Sequence, residues 1–123
     1  MHDDSFRTPG SPFEHERVVA FAVVPIGFVV DWSESGSPAS TLWIPESLFD
    51  ELAEMTSLGR IDKGRQSRLD LDGCLALEEE LMQLIALPLP DDPRAAARRV
   101  LARVREVRPG ARLELVVEGP DAS

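Results

Sequence analysis

Val18-Val19-Ala20-Phe21-Ala22-Val23-Val24 is apolar at every position and contains no helix breaker. Alternation of apolar and polar residues marks a strand with one wet face, and this run has none. Its valines and its phenylalanine favour a pleated strand, and its uniform apolarity predicts one that is covered on both faces or placed centrally in a sheet. Pro25-Ile26-Gly27 interrupts it, and Phe28-Val29-Val30-Asp31-Trp32 then repeats the β-rich composition. Two such runs split by Pro and Gly suggest a hairpin, with one long bulged strand as the alternative.

The rest of the domain follows outward from that run. Ser33 to Ser40 holds four serines with Gly36 and Pro38 and reads as a loop, after which Thr41 to Ile44 offers a short strand. Pro45 suits the first turn of a helix, and Leu48, Leu52 and Met55, widened by Phe49 and Ala53, predict that helix over 45–57. Leu58 to Ser67, with two glycines and four charges, reads as an exposed loop. Leu77, Leu81 and Leu84, supported by Cys74 and Ile85, predict a second helix over 73–86 that Pro88 and Pro90 terminate. Asp92 before Pro93 is a candidate N-cap for a third helix, whose stripe is Val100, Val104 and Val107 beside Ala97 and Leu101. Pro109-Gly110 ends it, and Leu113, Leu115 and Val117 alternate with Arg112, Glu114 and Glu118 in a last strand. The expectation is a single α+β domain over 16–118, an antiparallel or mixed sheet of three to four strands with three helices packed on it. Residues 1–15 read as a flexible N-terminal arm and 119–123 as a C-terminal tail.

A chain of 123 residues with a 43% apolar share can bury a core without a disulfide or a structural metal. The net charge of −9 repels a nucleic-acid backbone and an anionic membrane alike, so neither is an expected partner. No apolar run approaches about 18 residues, the length a membrane helix needs. The single cysteine and the absence of a signal-like opening point to the cytoplasm.

Residues able to carry chemistry are few. Placing Gly73 at the sixth position of a calcium-binding loop sets Asp70, Asp72 and Glu79 at the third, fifth and twelfth, but Arg68 then occupies the first, where a carboxylate belongs. A turn or helix start explains Asp72-Gly73 better. Cys74, just inside the second helix, is a candidate nucleophile only if a base stands near, and the two histidines, His2 and His15, lie in or beside the N-terminal arm. Two histidines and one cysteine at these separations give no zinc spacing. No cofactor, no metal and no enzymatic activity are expected.

The more unusual pattern is electrostatic. From Val18 to Gly59 there is no Lys or Arg, yet Asp31, Glu34, Glu46, Asp50, Glu51 and Glu54 fall within the stretch. Glu46, Asp50 and Glu54 recur every four residues and form one acidic ridge on the first helix, with Glu51 on its flank; each like-charge pair costs an isolated helix roughly 0.2–0.5 kcal/mol. Between Pro93 and Arg108 stand six arginines and one acid, Glu106. Either that third helix pairs with the ridge inside the monomer, or the ridge faces a partner. Trp32 and Trp43 bracket the acidic loop; Trp43 is assigned to the core, and Trp32 fits a core edge or an interface anchor equally. The expected function is that of a small acidic inhibitor, monomeric or weakly dimeric, neutralising a basic protein partner as an immunity protein or antitoxin opposes a nuclease toxin. Its expected contact residues are Asp31, Trp32, Glu34, Glu46, Asp50 and Glu54. The alternative is a secretion chaperone or non-catalytic assembly subunit that acts through dimerisation.

Overall fold

Four strands, β1 (Val18–Pro25), β2 (Leu42–Pro45), β3 (Gln66–Leu69) and β4 (Leu113–Glu118), form one antiparallel sheet in the computed structural model, which describes residues 6, 9–30 and 41–121. The spatial order is β2-β1-β4-β3, so the fully apolar run takes an inner place, as its composition requires. Three helices, α1 (Glu46–Met55), α2 (Leu71–Ile85) and α3 (Asp91–Val104), pack on one face of it. The protein is a single small α+β domain.

Strand parity divides the sheet residues between two environments. Val19, Phe21, Leu42, Ile44, Leu115 and Val117 point to the helices and join Leu48, Phe49, Leu52, Leu77, Leu81 and Val100 in the main core. On the opposite face Ala22, Val24 and Val116 are buried together with Val30. Residues Phe28 to Val30 are therefore not the second strand of a hairpin. They cross the outer face, where the Phe28 carbonyl accepts from Arg68 Nη2 at 2.7 Å and the Val30 carbonyl from Gln66 Nε2 at 3.1 Å. The antiparallel neighbours of β1 are β2 and β4 instead, and Asp31 and Trp32 lie outside the described residues.

The stretch expected as an exposed loop, 58–67, holds a 3-10 turn at Ser57–Arg60 whose Leu58 is buried, and it runs into edge strand β3. Gln66 and Arg68 face outward and Leu69 packs on the core, which suits an edge strand that must stay polar on its open side. Trp43 faces away from the helices, half-buried opposite Ala20, rather than entering the core. At the N-terminus, Phe6 and Phe13 meet edge to face at 6.1 Å and dock on the core, with the Arg99 guanidinium 5.3 Å above the Phe6 ring.

Helix ends follow local chemistry. The carboxylate of Glu16 accepts from the Ser47 amide at 2.6 Å, satisfying one of the free donors at the start of α1. Asp70 caps α2 by accepting from the Gly73 amide at 2.9 Å. α3 is capped differently from the expectation at Asp92: Pro90 is its N-cap residue, no side chain caps it, and Asp91 and Asp92 both lie in the first turn, where the helix dipole favours them. Arg94 reaches back to the carbonyls of Ile85 and Leu87 and closes the end of α2.

Candidate functional site

The acidic ridge of α1 does not stand free along its whole length. Glu46, only 18% exposed in its side chain, takes Lys63 Nζ at 2.8 Å and Arg17 Nη2 at 3.1 Å. Lys63 also reaches Asp50 at 3.0 Å, and Arg17 reaches Asp121 at 2.7 Å. The hydrogen bond from Lys63 holds the Glu46 carboxyl below its ordinary range; burial opposes the shift and Arg17 adds to it. The same contacts, Glu46 first and Asp50 second, raise the Lys63 ammonium. Both cations lie outside α1 in sequence, so helix periodicity alone could not disclose them.

The two candidate arrangements for the Arg-rich helix resolve in favour of separation. Among the described residues, no ion pair joins α3 to Glu46, Asp50, Glu51 or Glu54. Arg105, at the end of α3, pairs instead with Glu78 of α2 at 3.1 Å, while Arg94 caps α2 and Arg99 stacks on Phe6. Glu51 and Glu54 are exposed and have no ion partner among the described residues. Of the six residues expected to contact a partner, the structure brings Glu46 and Asp50 together around Lys63 and leaves Glu54 open at the far end of the ridge. Asp31, Trp32 and Glu34 lie outside the described residues.

A feature absent from the sequence reading adjoins Glu51 and Glu54. Where α1 ends against the last turns of α2, Met55, Gln83, Leu84 and Leu87 line a shallow groove of about 400 Å³ together with Glu80. Of these, Met55 and Leu87 are each about half exposed. Glu80 is fixed by accepting from both the amide and the hydroxyl of Ser57, at 2.9 and 2.7 Å. Neither α1 nor α2 contains a single Lys or Arg, although they carry eight carboxylates, four each.

The chemical candidates are accounted for by packing. Cys74 is 1% exposed, its thiol is pushed up to about 11 chiefly by burial, and it points at the Leu69 carbonyl, 3.7 Å away. Such a thiol stays protonated at neutral pH and is a poor nucleophile. Asp70, Asp72 and Glu79 belong to a helix and its cap instead of a calcium loop, and no three His, Cys, Asp or Glu side chains among the described residues converge as metal ligands. No described helix is long and apolar enough to cross a membrane. Compared with known protein families, curated proteins and solved structures, the chain matches none.

Proposed function

We propose that this chain is an acidic binding protein that recognises and neutralises a basic protein partner, in the manner of a cytoplasmic immunity protein or antitoxin opposing a cationic nuclease. The observation that carries the reading is the acidic end of α1, where Glu51 and Glu54 are exposed without ion partners among the described residues, while Arg94, Arg99 and Arg105 are engaged elsewhere. Such a surface steers a positively charged cleft toward itself and speeds encounter. Glu46 contributes differently: it holds Lys63 and Arg17, so its part in recognition is to fix the ridge. Asp50 is exposed on one side and available to a partner while bonded to Lys63 on the other. Asp31, Trp32 and Glu34 remain in the proposed surface on sequence grounds.

The test is recovery of the native partner with the chain as bait, followed by titration of that partner's activity. A basic protein whose activity is lost at one-to-one stoichiometry, with affinity falling as salt rises, supports the reading. Substituting Glu51→Lys and Glu54→Lys should weaken that complex and flatten its salt dependence. An acidic partner, or affinity unchanged in the folded double variant, would overturn it.

A further inference from the structure

We infer that the groove between the end of α1 and the end of α2 is a docking site for a basic amphipathic helix of the partner protein. This inference rests on the proposed function and adds the shape of the recognition element. Three kinds of observation converge on it.

The first is apolar. Met55 and Leu87 stay about half exposed around a floor formed by the buried Leu84. Methionine side chains are unbranched and polarisable, and they recur where a surface must accept a helix face of varied shape. A helix inserting residues spaced three and four apart matches a short groove between two helix ends.

The second is charge. Glu51 lies one turn before Met55 on α1, and Glu79 lies one turn before Gln83 on α2, so acids flank the apolar floor on both helices. Among the described residues, no Lys or Arg lines the groove. An acidic or neutral helix would bring like charges or none to this rim, whereas Lys and Arg flanking the apolar anchors would pair with it.

The third excludes α3 of a second copy as occupant. The basic element of this chain is α3, and its apolar side chains Val100, Leu101 and Val104 are already buried in the core. What α3 shows to solvent is Arg98, Ala102 and the first-turn acids, which offer charge without an anchor.

The experiment uses the full chain and two synthetic peptides of identical composition: a leucine–lysine sequence patterned as an amphipathic helix of about five turns, and a scrambled version without the pattern. Binding is measured by titration calorimetry, and the methionine methyl resonances report its location. The expected result is affinity for the patterned peptide about tenfold or more above the scrambled one at about 0.15 M salt, with a shift of the Met55 methyl and none of the Met82 methyl, which does not line the groove. Met55→Ser with Leu87→Ser should remove that preference, and both positions are exposed enough for the variant to fold. Equal binding of the two peptides would overturn the inference and leave the acidic-surface reading standing. Binding of neither at low salt would overturn both. Light scattering that shows a dimer dissociating on Met55→Ser would assign the groove to a second copy and overturn the inference alone.

Discussion

Lys63, the only lysine in the chain, lies 2.8 Å from the carboxylate of Glu46. That pair ties the loop before β3 to the first turn of α1, and Arg17 on the other side of Glu46 adds the start of β1 and, through Asp121, the end of the chain. A ridge that looks purely repulsive along the helix is therefore locked at its N-terminal end by cations from two other segments. The acids left over are those near Met55, which is why the candidate surface has moved toward the C-terminal end of α1.

The Glu46–Lys63 pair makes stability depend on pH at both extremes. Glu46 is held below its ordinary value of 4.5, so its contribution is present above that value and is lost as pH falls through the lowered folded-state pKa. Lys63 is raised above 10.5, so its contribution is complete below that value and disappears as pH climbs through the raised one. Lys63→Met should cost about 1 kcal/mol near neutral pH and flatten the dependence on both sides. Urea denaturation across pH measures this; an unchanged profile would show that the pair contributes nothing to folding.

Backbone packing sets where Lys63 stands. A Cβ added at Gly119 would lie 2.5 Å from Lys63 Cα and 2.6 Å from its carbonyl oxygen, so the two chain segments touch through their backbones. Gly119→Ala should force them apart at a cost of about 1–3 kcal/mol, lowering the urea midpoint with little change in slope. If the variant is as stable as the parent, the close approach of the C-terminal segment to Lys63 is wrong.

Much of this fold was legible because single segments dictate it. The fully apolar β1, the leucine stripes of α1 and α2 and the alternating β4 each carry their own pattern, and a short polar connection cannot hide it. β3 carried no such pattern: Gln66-Ser67-Arg68-Leu69 has no β-branched residue, and it becomes a strand because β4 offers it a ladder. The hairpin expectation failed for a related reason. Phe28-Val29-Val30 has strand composition, but β4 and β2 fill both places beside β1, and Ala22, Val24 and Val116 still need cover on the outer face. The acidic ridge was correctly placed on α1, while the cations that meet it come from residues 17 and 63, distances over which a single sequence gives no pairing information. The groove lined by Met55, Leu84 and Leu87 was invisible because it forms between two helix ends.

The crossing segment after β1 should depend on Arg68. Its guanidinium donates to Glu114 at 2.7 Å and to the Phe28 carbonyl, while Glu114, 12% exposed in its side chain, also accepts from the Gly27 amide at 2.9 Å. Arg68→Ala leaves that carboxylate largely shielded from water with only the amide as partner, an expected loss of about 2 kcal/mol. Limited proteolysis should show faster cutting within 26–30, and adding Glu114→Gln should recover part of the stability by removing the stranded charge. Cutting at the parent's rate would mean that the burial of Val30, and not Arg68, holds the segment down.

Cys74 provides the sharpest separation between packing and chemistry. The thiol, ordinarily near 9.0, is pushed up to about 11 by burial, so the folded state keeps its proton where the unfolded chain has lost it. The sign follows: Cys74 contributes full stability below pH 9, and the contribution falls as pH rises from there toward 11. A disulfide reagent at neutral pH should therefore label the native protein at a rate that tracks the fraction unfolded and rises with urea. Cys74→Ala should lose roughly 1 kcal/mol by removing a buried sulfur, keep partner binding intact and remove the part of the alkaline fall that begins at pH 9, leaving the part due to Lys63 above 10.5. Rapid stoichiometric labelling of the native state, or loss of function in a folded Cys74→Ala variant, would return this residue to the list of chemically active groups.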